Sequence, residues 1–212
     1  MSVMTVTPIS LSAGCDFAEC ARFAVPLHRQ LSSGSYDECS VLLIPELIEG
    51  WQADHRTSRK RARHAERLGY TFARIKRRDY EDDVHAINTS LAHRQGRPMT
   101  AGYLTKPSYG ADDYTCDLHG VHANGVLDAS GRLVAYLWMY RAGELALVSQ
   151  ILGHGDHLKN DVMFLLFRGS LEREIEYGPG VVVYNRHDSG TPGLIQWKEW
   201  QGFEERDVEW LP

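Results

Sequence analysis

The chain of 212 residues is 43% apolar and 24% charged with a net charge of −5, the composition of a water-exposed globular protein with a core of ordinary size. No apolar run approaches the roughly 18 residues that a membrane span needs, and no signal-peptide pattern is apparent. The four cysteines (Cys15, Cys20, Cys39, Cys116) are too irregularly spaced for a disulfide framework, so a reducing cytoplasm is the expected compartment.

Ser, Gly and Pro interrupt residues 1–40, which are expected to form a poorly defined N-terminal segment with one helical stretch, Asp16 to Leu31. Residues 41–212 are expected to form a single domain. Val41 to Ile44 reads as a buried strand ended by Pro45. Thr57 or Ser58 is placed to cap a basic helix running to about Leu68, with Gly69 in the usual position after a helix end. Between His55 and Arg78 there are ten Lys or Arg against one acid, Glu66, so this segment is +9 on an acidic chain. Arg56, Arg59, Lys60, Arg63 and Arg67 fall on nearly one helical stripe, whose self-repulsion is relieved if a polyanion binds there. A solvated face is the plain alternative.

Tyr70 to Ile75 alternates as a strand does, and Tyr80 to Leu91 carries one apolar stripe through Val84, Ile87, Asn88 and Leu91. A polar loop with Arg94 and Arg97 follows, extending past Tyr103 and Tyr109 to Tyr114; a loop of this length is functional or disordered, and its three aromatic residues and Arg pair favour function. His122 to Leu127 and Leu133 to Tyr140 form a hairpin over Asp128 to Arg132. Leu145 to Gln150 is the next strand, and Met163, Leu166, Phe167, Ser170, Leu171 and Ile175 mark one face of a helix stopped by Gly178-Pro179-Gly180. Val181 to Tyr184 completes a strand–turn–helix–strand unit.

The turn of that unit is Gln150-Ile151-Leu152-Gly153-His154-Gly155, and a Q-x-x-G-x-G spelling between strand and helix resembles the acyl-CoA pyrophosphate loop of the GNAT acyltransferase superfamily. Glycines there let backbone amides approach a pyrophosphate, with the helix N-terminus adding a favourable field. The run from His55 to Phe72 resembles the "R-x-x-x-R … A-x-x-x-G" helix of the Fem-type branch of that superfamily. Ile87 to Pro98 is similar to its "R-x-G" segment, and Gly193 to Phe203 to its terminal "G-L-x-x-F-K-x-x-F-G", with Trp197 in a Phe position. The resemblance implies an α/β (α+β) GNAT-like single domain, with a central mixed, mostly antiparallel sheet flanked by helices. It also implies transfer of an acyl group from acyl-CoA to an amine acceptor. Two alternatives stand beside it: an aminoacyl-tRNA-dependent, Fem-like amide former binding tRNA through the basic helix, and a non-catalytic binding protein that keeps the fold and uses the basic helix on RNA or a protein partner.

On this reading Gln150, Ile151, Leu152, Gly153, His154, Gly155 and Asn185 hold the cofactor, and a backbone N–H beyond Ser149 faces the acyl carbonyl. Attack by an amine needs a neutral nucleophile, donors for the oxyanion and a proton for the leaving group. Tyr184 to Gly190 closes the last strand of the unit with a phenol, an imidazole, a carboxylate and a hydroxyl. His187 is the candidate base, since an ordinary imidazole is mostly neutral at pH 7; Tyr184 is the candidate acid; Lys198 steadies negative charge, as the Fem resemblance implies. Arg56, Arg59, Lys60, Arg63, Arg94 and Arg97 are the candidate contacts to substrate or a polyanion. The plain alternatives are a loop histidine, a core tyrosine and a surface lysine. Cys116-x-x-His119-x-x-His122 and His154-x-x-His157 match no standard zinc spacing, so no metal is expected.

Overall fold

The computed structural model describes residues 6–12, 27–32, 38–110 and 114–211. Residues 27–32 are helical, and the remainder of the helix expected over Asp16–Leu31 lies outside the described residues. Helices α1 (Ile48–Asp54), α2 (Arg56–Arg67) and α3 (Glu81–Thr89) lie in the first half of the described chain. The nine-stranded sheet, among the described residues, has the order β1 (Val6–Ser10), β11 (Glu204–Leu211), β2 (Cys39–Leu43), β10 (Val181–Arg186), β9 (Leu145–Gly153), β8 (Leu133–Ala142), β7 (His119–Leu127), β3 (Thr71–Arg74), with β6 (Tyr114–Cys116) also on β7. Only β1–β11 and β9–β10 run parallel. The mostly antiparallel mixed sheet is therefore as expected, and β1 and β11 add a flank that local pattern does not announce.

β7, β8 and β9 form a meander whose residues are buried almost without a break, so their apolar runs are covered on both faces. One face carries α2, α5 (Val162–Glu176) and α6 (Pro192–Gln201), packed through Ala62, Ala65, Leu166, Phe167, Leu171 and Phe203. The other carries α3, packed through Val84 and Ile87 against Tyr136, Trp138 and Leu152. Gly169 of α5 has no room for a side chain, because a Cβ there would meet the Phe72 ring of β3 at 2.3 Å. The helix thus sits directly on the sheet.

The basic helix spans Arg56–Arg67 and ends before Gly69 at φ +89°. Its cap differs from expectation. His55 holds that position without a side-chain bond, while the buried Ser58 hydroxyl donates to the Trp200 carbonyl at 2.6 Å and ties α2 to α6. The stretch from His93 to Tyr114 is also more ordered than a loop. It contains a small hairpin, β4 (His93–Arg94) with β5 (Arg97–Pro98), and a single helical turn α4 (Ala101–Leu104).

A fully buried charge cluster pins the C-terminal half of α5 to the meander. Glu174 accepts from Arg141 at 3.2 Å and contacts His122 Nδ1 at 2.7 Å, and Arg141 also donates to the carbonyls of Gly143 and Pro179. Every formal charge in this cluster has an opposite charge or a carbonyl beside it, as burial requires.

Candidate active site

β9 and β10 begin as a parallel pair and then part. Their register holds from Leu145↔Val181 to Leu147↔Val183 and stops there. Both strands bend at this level. In β9, Gln150 faces Trp138 and Val148 faces Met139, so Ser149 is left as a bulge; in β10, Asn185 takes a left-handed conformation at φ +52°. A bulge bends and twists its strand away from a straight course. A cavity of about 640 Å³ fills the space beyond the separation.

The strand edge exposed by this separation carries polar backbone. The His154 N–H donates to Val134 of β8 at 2.8 Å, so by alternation Ile151 and Gly153 turn their N–H groups to the other side, away from β8. Gln150, Ile151, Leu152, Gly153 and Asn185, five of the seven residues expected to hold the cofactor, line the cavity together with Ser149. His154 and Gly155 do not line it. The remaining wall was anticipated only at Arg94, one of the candidate substrate contacts. It comes from the small hairpin and α4, through His93, Arg94, Gln95, Met99 and Tyr103, and from α6, through Leu194 and Trp197. The Arg pair and aromatic residues of the His93–Tyr114 stretch were its sequence signal.

The glycine turn is already bonded. The Gly155 N–H donates to Ser90 Oγ at 3.0 Å and the Asp156 N–H to His154 Nδ1 at 3.3 Å. Ser90 Oγ also accepts from Arg94 Nη2 at 3.1 Å, so this hydroxyl occupies the position that an anion oxygen would take between a backbone amide and a guanidinium. A 3-10 turn (Gly155–Asn160) separates the glycines from α5, and Asp161, at φ +62°, precedes the helix with its carboxylate held by Arg61 at 3.1 Å and His64 at 2.9 Å. The Gly155 amide and the carboxylate that precedes α5 are thus both engaged within the chain.

Tyr184 lines the cavity, packed edge-on against Trp197, and burial pushes its phenol up to about 12. Lys198 is fully buried beneath Tyr184, with Nζ 5.1 Å from the ring centre. Its amine donates to the carbonyls of Arg186 at 2.6 Å and His187 at 3.3 Å and reaches Ser189 Oγ at 3.3 Å; loss of solvent lowers it to about 8, against a raising influence from Asp188. It is neither on the surface nor in the cavity wall. His187 lies at the far end of β10, its Nδ1 3.3 Å from Ser40 Oγ of β2, and is likewise outside the lining. The imidazole that does line the cavity is His93.

Arg56, Lys60, Arg63 and Arg67 are exposed and Arg59 is half-buried, and among the described residues none of the five has an ion-pair partner. The other side of α2, through Arg61 and His64, grips Asp161 between the cavity-lining Leu158 and Met163. Arg97 is exposed at the hairpin tip. Cys116 Sγ lies 3.2 Å from His119 Nδ1, but His122 does not join them. His119 contacts the Leu11 carbonyl and His122 faces Glu174, and among the described residues no group of three potential ligands is gathered for a metal. Nor, among them, is any helix long and apolar enough to cross a membrane.

No family model and no curated protein matches the sequence. Solved structures do match. FemX superposes with a TM-score of 0.61 at 10% identity over 84% of this chain and 65% of its own. The C-terminal domain of a putative lysylphosphatidylglycerol synthetase from Agrobacterium fabrum gives 0.53 at 13% identity, and L-PGS from Bacillus licheniformis 0.51 at 15%, each over 81% of this chain. This chain spans 58% of the length of each of those two, about three fifths. These neighbours are GNAT-fold proteins. With the parted parallel strands, the bulge and the helix between them, the chain has the GNAT fold, in the form that it shares with FemX.

Proposed function

We propose that the protein is an amide-forming transferase that passes an acyl or aminoacyl group to an amine in the cavity beside β9. Residues 41–212 make up the transferase domain on this reading, and Val6–Ser10 adds an edge strand to it. The observation that carries the proposal is the parting of β9 from β10, which turns the N–H groups of Ile151 and Gly153 toward the side where no strand pairs with them. An acyl carbonyl seated there gains hydrogen bonds as its oxygen becomes an oxyanion. The amine attacks the carbonyl carbon, the new C–N bond forms, and the tetrahedral intermediate expels its carrier. Tyr184, kept protonated at neutral pH, gives its proton to the leaving group, and His93 is the imidazole placed to accept the proton that the amine loses.

The state of the glycine turn bears on the carrier. Acyl-CoA is the carrier that the Q-x-x-G-x-G spelling implies, yet the Gly155 amide is taken by Ser90, and a carboxylate, Asp161, stands before α5. The unpaired cations on α2 lie on the helix that braces the cavity wall through Asp161. This favours a polyanionic carrier held outside the cavity, an aminoacyl-tRNA, with only the acyl end entering.

The test is thermal unfolding with coenzyme A, acetyl-CoA and bulk aminoacyl-tRNA at two salt concentrations, followed by mass spectrometry for amide products from a mixture of amines. The expected result is stabilisation by aminoacyl-tRNA that fades with added salt, and amide formation from it. Stabilisation by acetyl-CoA with transfer from it keeps the reaction and replaces the carrier. Turnover from neither donor overturns the proposal in favour of a binding protein.

A further inference from the structure

The cavity has a charge signature that the transfer chemistry alone does not require. Among the described residues its lining contains no Asp or Glu, and the one permanent charge there is the guanidinium of Arg94. Among the described residues no carboxylate pairs with that guanidinium. Nη2 donates to the Ile87 carbonyl at 2.8 Å and to Ser90 Oγ at 3.1 Å, while Nε is buried without a partner and Nη1 has none. The groups around it are phenols and apolar side chains: Tyr103, Tyr136 and Met99. Burial lowers its pKa, the direction expected for a cation removed from water with no anion supplied.

A half-buried arginine with donors left over is costly unless something meets them. The position is also fixed in advance. Ile87 and Ser90 hold the guanidinium from the end of α3, a helix anchored by Ile87 in the core and by Asn88, whose side chain accepts from the buried Tyr136 hydroxyl at 2.7 Å. Such bracing is what a binding group needs if it is to lose little freedom when its ligand arrives.

We propose that Arg94 anchors a carboxylate, and that the amine acceptor is a carboxylate-bearing amine with an apolar or aromatic body, of the amino-acid type. One guanidinium neutralises one negative charge. A phosphate monoester would leave an excess charge among Met99, Leu194 and Trp197, whereas a carboxylate matches the planar donor set. The apolar walls receive the body of the molecule, and the β9 edge lines the same cavity as Arg94. The inference rests on the transfer reading only where it calls the bound molecule the acceptor.

The experiment compares matched acids and amides by ligand-detected NMR on the whole chain. The probes are N-acetyl-leucine and N-acetyl-phenylalanine, their carboxamides, and inorganic phosphate. Each acid is expected to bind about tenfold more tightly than its carboxamide, since a charge-assisted bond is lost in the amide. Arg94→Gln is expected to remove the difference and Arg94→Lys to keep part of it. Equal binding of acid and amide to the native chain, or binding of neither acid, overturns the inference whether or not the variants fold. Phosphate binding more tightly than both acids overturns the carboxylate assignment. The transfer assay is separate: selective acid binding with no amide formed leaves the anchor standing and removes the acceptor role. Transfer at equal rates to amines without a carboxylate likewise removes the carboxylate-bearing acceptor.

Discussion

The hydroxyl of Ser90 accepts from the backbone amide of Gly155 at 3.0 Å, across the join between α3 and the glycine turn. It also accepts from Arg94 and donates to the Ile87 carbonyl at 2.7 Å, so one side chain closes the turn, fixes the cavity guanidinium and ends its own helix. Ser90→Ala removes all three bonds. The expected cost is about 1–3 kcal/mol by urea unfolding. The same change releases the Gly155 amide, so calorimetry should find pyrophosphate binding roughly tenfold tighter in the variant than in the native chain. Unchanged pyrophosphate affinity would show that Ser90 does not stand in an anion's place.

Glu174 is buried between Arg141 and His122, with neither carboxylate oxygen open to solvent. Glu174→Gln leaves the Arg141 guanidinium buried without its counter-charge. A loss of about 3–5 kcal/mol in unfolding free energy is expected. None of the three residues lines the cavity, so transfer per folded molecule should be unchanged at a temperature where the variant remains native. A parallel loss of activity would place this cluster in the function and not only in the fold.

What the sequence discloses, and what it hides, divides along the range of the interactions. The α2 stripe ending at Gly69, the hairpin over Asp128 to Arg132, and the α5 face from Met163 to Ile175 follow from periodicity and turn chemistry within a few residues. The order of strands around the glycine turn follows too. The bend that makes the cavity depends on Ser149 having no partner on β8, and no local pattern contains that. β1 and β11 pair across nearly the whole chain, and the charged, alternating run from Glu204 to Leu211 reads equally well as a surface tail. Lys198 has the spacing of a lysine on an exposed helix face and is wholly buried because the last residue of β10 and two residues after it turn their carbonyls inward to it. Ser58 was placed as a cap by its residue type, yet α6 claims its hydroxyl.

Lys198 also links stability to pH. Its amine falls to about 8 in the folded chain from an ordinary value of 10.5, because burial opposes the charged form. Between those values the unfolded chain binds more protons than the folded one, so stability rises with pH across this window and the contribution is lost as pH falls through it. The comparison with Lys198→Met isolates the effect from other titrations. The native chain should gain stability relative to the variant from about pH 8 to about pH 10.5, by urea unfolding at stepped pH. A flat difference would mean that the carbonyls around Nζ keep the amine charged throughout.

Tyr184 joins the cavity to the core, and its hydroxyl can be removed without disturbing the packing of its ring. Phe at this position keeps the edge contact with Trp197, at 6.3 Å between ring centres, and the contact with Phe203 at 6.2 Å. Folding should therefore be nearly unaffected in Tyr184→Phe. If the phenol protonates the leaving group, kcat should fall by about 10²-fold with little change in KM, since the missing interaction exists only in the transition state. The phenol titrates near 12, so it stays a proton donor across the neutral range, and the native enzyme should show no alkaline loss of kcat from this group below about pH 11. Retention of full kcat in Tyr184→Phe would reduce Tyr184 to a wall of the cavity and leave protonation of the carrier to solvent.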